Sequence, residues 1–480
     1  MAIILRWICE KCNKRWIYPV EKCVYCKGPI VKQKGTKLKV IGVTKVNIPS
    51  PMHPIIPYNV VLLEDEHGNR MPKKTMESYK IGDKFSDEPA KTDDAVSIIK
   101  VKYDIYEAVN ESIALLNGFE LDSKDKVLVK ISCVTAAYPY QAVNTSPEFL
   151  DALLKVVYDF GVKKENIIVA EQALLGSDGK DAASKSGIME VCKKHNVEFV
   201  DIAKAGFEEI ESEGFKFKIY KEAMHRKLIN APIMKTNFQL GISGACENIS
   251  RLCDGETQRR MYSEGIDAIL PKLVKSLKIL TVADATNGMM GQGPLAAGEP
   301  AFLNLVLASK NPQNLDAAFC EMGMLEIPLH LGIENSKDIE VVGNSIDSLK
   351  FSIKAANPHE SVHPDISLID GKACPFCLNM VNNLTSKLMG TRGDKITVVM
   401  GPQIDYENLK NCSRMVIIGG CAIDSLNGKI ESSAKIPESM DFVEQIVLLQ
   451  KILTTKGAAR ITPVDKVKSK MKNLFSKVIK

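Results

Sequence analysis

The sequence predicts an α/β protein: an N-terminal zinc ribbon and a small antiparallel OB-type barrel, then a large, mostly parallel, doubly wound α/β domain. Three observations lead there. Two Cys-x-x-Cys pairs stand at the start, and alternating apolar positions with turn residues follow them. Beyond residue 96, short apolar runs alternate with helical patterns. The expected division is 1–33 for the ribbon, 34–88 for the barrel, 96–370 for the main domain, 371–455 for a C-terminal α/β part and 462–480 for a terminal helix.

Composition narrows the class. Charged residues at 25% and hydrophobic ones at 45% are those of a soluble globular protein, and no apolar run reaches the ~18 residues of a membrane span. The opening MAIILRWICEKC is too short before its first cysteine for a signal peptide, so a cytoplasmic location is expected. Thirteen cysteines, an odd number with Cys-x-x-Cys pairs, point to thiolates on metal and buried free thiols rather than disulfides. The net charge of +5 is matched by the segment from Pro463, so a globally basic nucleic-acid binder is not expected.

The ribbon rests on Cys9, Cys12, Cys23 and Cys26. Two knuckles at that spacing bring four thiolates around one ion, and Trp7 and Trp16 are placed to shield it. Zinc is favoured over iron because a structural site of four thiolates needs no redox role, although spacing alone does not separate them. The alternating runs KLKVIGVTKVNI and YNVVLLEDEHGNR then predict the barrel, and residues 86–97 read as a linker.

In the main domain KVLVKI (126–131) reads as a strand, and Ser146-Pro147 starts a helix whose apolar face includes Phe149, Leu153 and Val157. NIIVAE, VEFVDI, KILTVADA and NLVLAS continue the strand series, with a helix around 182–195. The apolar run Leu228–Met234 reads as a buried strand that opens into KTNFQLGISGACENISR. A strand running into a Gly/Ser turn and a helix start offers free backbone N–H groups to an anion. Three segments are expected to converge on one cleft. Lys130 and Asn144–Thr145 form the first, and Lys235, Thr236, Asn237, Gly241, Ser243, Gly244, Glu247, Asn248 and Arg251 the second. Asp284, Thr286, Asn287, Gln292 and Gly293 form the third. The two lysines suit a carboxylate or phosphate, and a desolvated one can act as a base or imine-forming amine. Glu247 and Asp284 suit proton transfer or a divalent cation. The plainer reading makes these ordinary loop residues, strand-end charges and caps.

Cys374 and Cys377, with Cys412 and Cys421 at the two ends of MVIIGG, form a second candidate metal set for zinc, an iron–sulfur cluster or a redox disulfide. The remaining cysteines read as buried thiols, except Cys246, where a helix start would lower the pKa. His359 and His363 are not expected to coordinate a metal, since His-Pro-Asp breaks any helix there. From Thr462 the chain reads as a basic amphipathic helix that can dock on its own domain, on a partner or on an anionic membrane surface.

Ribbon followed by barrel, over about Trp7–Glu88, resembles the domain-of-unknown-function 35 family. That resemblance implies association with thiolase-type acyl-CoA enzymes, the barrel holding or channelling a CoA thioester. DKVLVKISCVTAA, INAPIMKTNFQLGISGACENISR and DATNGMMGQGPLAAGEP resemble the domain-of-unknown-function 362 family over roughly 96–455. That family usually reads Lys-Thr-His where this chain has Asn237. The leading expectation is a metal-containing enzyme, or subunit of one, acting on a small acidic or CoA-thioester substrate bound at the Lys235–Arg251 turn. An iron–sulfur or thiol redox protein using Cys374/Cys377 is the alternative. A nucleic-acid-binding scaffold is the weaker third, because the barrel segment has few aromatics for stacking.

Overall fold

The computed structural model describes residues 4–455, apart from 51–55, 86–88, 175–176, 358–362 and scattered positions, eight of them between 375 and 389. The basic segment 462–480, and His359, lie outside the described residues. Among the described residues no helix is long and apolar enough to cross a membrane.

The ribbon is an antiparallel sheet of β1 (Ile4–Cys9), β2 (Arg15–Trp16) and β3 (Ile30–Gly35), with β1 in the middle. Trp7 and Trp16 face each other across β1 and β2 and pack with Cys9 and Cys23 in one small core. The expected barrel is an open half-barrel. Its four antiparallel strands are β4 (Leu38–Val46), β5 (Tyr58–Glu64), β6 (Arg70–Thr75) and β7 (Lys84–Phe85), in the order β6-β5-β4-β7.

The main body begins with β8 (Val96–Lys100), α1 (Ile105–Ala114), β9 (Val127–Ile131), α2 (Pro147–Asp159) and β10 (Ile167–Glu171). Ser146 caps α2 by accepting the amide of Phe149, and Pro147 sits where its missing N–H is harmless. The helix expected around 182–195 is two, α3 (Gly179–Lys185) and α4 (Ile188–His195), separated by Gly187 at φ +80°. After β11 (Glu198–Asp201) comes a hairpin, β12 (Phe207–Ser212) and β13 (Phe215–Tyr220).

The apolar run 228–234 is two strands, not one: β14 (Lys227–Ala231) and β15 (Ile233–Asn237), divided at Pro232. Proline has no N–H for the ladder, so the chain changes partners there. Strand β15 turns back as β16 (Gly241–Ser243) and leads into α5 (Ala245–Ser250) and α6 (Gly255–Lys275). Strand β17 (Ile279–Gly291) runs on past the expected strand KILTVADA (278–285) and carries most of the DATNGMMGQG segment. Short β18 (Gly298–Pro300), then β19 (Leu305–Ser309), α7 (Pro312–Gly323) and β20 (Val341–Gly343) complete the body.

The principal sheet runs β11-β10-β9-β14-β17-β19-β8-β20, parallel except where β19 lies against its two neighbours. From β9 the chain goes outward to β10 and β11, then returns to β14 on the other side. The carboxyl ends of β9 and β14 therefore meet at a topological switch point, the usual ligand position in open α/β sheets. A second parallel sheet, β21 (Ile366–Asp370), β22 (Ile396–Met400), β23 (Met415–Ile418) and β24 (Ala434–Ile436), follows with α8 (Gly420–Leu426) and α9 (Phe442–Thr454). One continuous apolar core joins it to the body, with Val398 and Val416 in the same cluster as Leu252 and Tyr262.

Candidate functional site

The residues nearest the switch point are charged and buried. Lys130, at the end of β9, is fully buried and its Nζ donates to Glu171 at 2.8 Å, the Ile131 carbonyl at 2.8 Å and Asn248 Oδ1 at 3.0 Å. Glu171, at the end of β10, also accepts the amides of Cys133 and Gln172. With three acceptors Lys130 is saturated, and burial holds its pKa below the usual lysine range. These bonds tie β9 to β10 and α5.

Lys235, on β15, is buried and donates to the Val143 carbonyl at 2.9 Å. Burial lowers its pKa to about 8. Glu247 and Arg251 lie one turn apart at the start and end of α5, joined by an Arg251 Nη2–Glu247 Oε1 contact of 3.0 Å. Burial alone would raise the Glu247 pKa, but the charges of Arg251, Lys235 and Lys130 hold it below the ordinary value. Arg251 Nε and Nη1 are buried and have no hydrogen-bond partner among the described residues. Lys235, Glu247 and Arg251 line one cavity of about 20 Å³ with Asn237 and Ser243; Tyr262, Pro294, Leu295 and Leu378 close it.

The rest of the predicted site divides differently. The free amides expected at the turn are taken: Asp316, on α7, accepts from Ala245 N at 2.7 Å and Cys246 N at 2.9 Å. An internal carboxylate occupies the place proposed for an external anion. The same contact raises the Cys246 pKa, burial being the larger cause, so Cys246 is not the activated thiol expected from a helix start. Asn248 bonds Lys130 and Asn230, and Asn237 caps its own hairpin by accepting the amides of Gln239 and Leu240. Thr236 Oγ1 donates to the Gly291 carbonyl.

Asp284 accepts from the Ser146 and Thr286 amides and the Thr286 hydroxyl, and does not line the cavity. It anchors the start of α2 to β17. Gln292 pairs with the Asn357 backbone in both directions at the surface. Asn287, Gly241, Gly244 and Gly293 are likewise outside the cavity lining. Sequence reasoning missed Glu171, Tyr262 and Leu378. A carboxylate ending a neighbouring apolar strand was a signal for Glu171; Tyr262 and Leu378 reach the site only through tertiary packing.

In the ribbon, the Sγ atoms of Cys9, Cys12, Cys23 and Cys26 all lie within 4.8 Å of one another, a group that can hold one metal ion. Gly28 leaves room for them, since a Cβ there would stand 3.1 Å from Cys9 Sγ. The second set closes only in part. The Cys374 and Cys421 thiols both lie against buried Cys377 and, with burial, raise its pKa. The Cys412 thiol donates instead to the Asn408 carbonyl. Among the described residues Cys374, Cys377 and Cys421 do not form a group as tight as that of the ribbon. His363 is buried and bonded to the Thr391 carbonyl, as a structural histidine would be.

Residues 127–321 match the family model described as Domain of unknown function (DUF362), which contains all three buried cations of the switch point. A search of curated proteins gives no match. Among solved structures, the chain is similar to "Ltp2-ChsH2(DUF35) aldolase" with 19% identity and a TM-score of 0.14, over 16% of this chain and 66% of that one.

Proposed function

We propose that the region of the DUF362 match binds a small acidic substrate, free or as a CoA thioester, and acts on it as an enzyme or enzyme subunit. Arg251 is the anchor and Lys235 the proton acceptor. One observation carries this reading: among the described residues two donor nitrogens of the buried Arg251 guanidinium have no acceptor, and Arg251 lines a cavity together with Lys235. Leaving buried donors unmet costs about 1–3 kcal/mol each, so such groups are expected to meet a ligand. A carboxylate matches the planar fork of arginine. It would also offset the formal excess of Lys130, Lys235 and Arg251 over Glu171 and Glu247.

Lys235 adds the chemistry. A lysine held near pKa 8 is partly neutral around neutral pH and can take a proton from a carbon or oxygen beside the bound carboxylate. The cavity admits about one water-sized group, so a larger substrate needs Pro294–Leu295 and Leu378 to move. The ribbon's cysteines are proposed to hold zinc, a closed structural site remote from this chemistry.

The test is a thermal-shift and calorimetric screen of acetate, malonate, 2-oxo acids and their CoA thioesters against wild type and Arg251→Lys. Stabilisation that the variant loses supports the reading, and no response to any carboxylate or thioester sinks it. The contacts of Cys377 with Cys374 and Cys421 favour a second reading, thiol or iron–sulfur redox chemistry. Anaerobic purification with iron and sulfide analysis decides it: colourless, iron-free protein removes the cluster.

A further inference from the structure

Tyr262 reaches the Arg251 cavity from α6. Asp254 caps that helix by accepting the Thr257 amide at 2.8 Å. From there Thr257, Gln258, Met261 and Tyr262 recur at the spacing of one helix face, and all four are buried. The polar groups before Tyr262 on this face have partners: Gln258 Nε2 donates to the Cys253 carbonyl at 2.8 Å, and Thr257 Oγ1 accepts the Lys218 amide at 3.3 Å. Tyr262 instead meets the cavity, and is only 3% exposed. Around it Lys235 donates to the Val143 carbonyl, Asn237 Nδ2 to Ser243 Oγ and Arg251 Nη2 to Glu247. Among the described residues the Tyr262 hydroxyl, like Nε and Nη1 of Arg251, has no hydrogen-bond partner. Burial, then the charge of Glu247, raise the Tyr262 pKa against the opposing charge of Arg251, so the phenol keeps its proton and is a donor.

We propose that Tyr262 is a catalytic hydrogen-bond donor of this site and that its substrates are short 2-oxo acids. The inference rests on the reading of Arg251 as carboxylate anchor and Lys235 as base. Arg251 takes the carboxylate, and Tyr262 donates to the keto oxygen beside it. The cavity of about 20 Å³ favours this class on size. A 2-oxo acid carries its second oxygen on the carbon next to the carboxylate, whereas a 3-oxo acid needs a longer span. Leu295 and Leu378 suit the short remaining chain. When a C–H bond on the far side of the keto group breaks, the proton goes to Lys235 Nζ and the electron pair moves onto the keto oxygen. The Tyr262 hydrogen bond strengthens as that oxygen becomes an enolate, which lowers the barrier. Return of a proton from Lys235 to the same carbon restores the acid, so the step uses no oxidant and no co-reactant.

The experiment pairs calorimetry of pyruvate and propionate with NMR of pyruvate in heavy water, on the full chain, for wild type, Tyr262→Phe and Lys235→Met. Propionate has nearly the shape of pyruvate without the keto oxygen. Wild type should bind pyruvate roughly tenfold more tightly, the worth of a hydrogen bond in a closed site. Tyr262→Phe, whose melting temperature reports its folding, should lose that preference. Wild type should exchange the methyl protons of pyruvate for deuterium. Tyr262→Phe should slow this by about a hundredfold or more, and Lys235→Met should abolish it. Propionate bound as tightly as pyruvate by wild type overturns the role of Tyr262 without any variant, as does a preference that Tyr262→Phe keeps. Exchange at the wild-type rate in Tyr262→Phe, or none in wild type, overturns the enolate step. Binding of neither acid removes the Arg251 reading itself, and this inference with it.

Discussion

Gly244 and Asp316 make a contact that a side chain at 244 would prevent: a Cβ on Gly244 would lie 2.1 Å from Asp316 Oδ1. The carboxylate it admits takes the Ala245 and Cys246 amides and so closes the start of α5 from inside. Gly244→Ala should therefore destabilise the fold by about 2–4 kcal/mol, as buried hydrogen-bond networks do when displaced. Denaturant unfolding of wild type and variant measures it, and a difference below about 0.5 kcal/mol would contradict the account.

Asp316 also predicts a pH slope. Burial pushes its pKa up to about 6 from an ordinary 3.8. A raised acid holds its proton more tightly in the folded state. Its contribution is then complete below the unfolded value and is lost as pH rises through about 6, some 3 kcal/mol in all. Asp316→Asn should flatten this part of the stability curve between pH 4 and 6. Identical curves for the two proteins would exclude it.

Arg251 is expected to separate folding from binding. Arg251→Ala strands Glu247 in a buried site and should cost about 3–5 kcal/mol. Arg251→Lys keeps a charge but loses the planar fork. It should fold with a smaller loss yet bind small carboxylates at least tenfold more weakly. Unfolding free energies and calorimetric affinities for both variants check this.

Lys235 titrates in a usable range. If it is the proton acceptor, kcat/KM rises with pH to a plateau with a midpoint of about 8, and Lys235→Met abolishes the rise. Stability moves the same way. With the folded pKa depressed from 10.5 to about 8, the contribution is complete above the unfolded value and is lost as pH falls through about 8. Wild type should gain up to about 3 kcal/mol between pH 8 and 10.5 relative to Lys235→Met, read from unfolding at three pH values.

Removing the ribbon's metal should act locally. Four thiolates and a core of two tryptophans hold β1 to β3, whereas the body has its own extensive apolar core. A chelator strong enough to strip about one ion per chain should abolish amide protection in 4–35 and leave the body's protection in place. Hydrogen exchange with metal analysis measures both, and global unfolding on chelation would refute the separation.

Local patterns in the sequence determined the ribbon, the strand–helix alternation and the Ser146-Pro147 helix start, because spacing, capping and periodicity act within a few residues. They also marked Lys235, Glu247 and Arg251 as one group. Long-range contacts decided the rest. That Asp316 reaches back to α5, that Glu171 claims Lys130, and that Leu378 closes the cavity depend on which strands and helices lie side by side. A buried charge has to be satisfied by whatever the fold brings within hydrogen-bonding distance, and that partner can stand anywhere in the chain. Only the assembled sheet showed that the turn's amides were taken and that two nitrogens of the Arg251 guanidinium have no partner among the described residues.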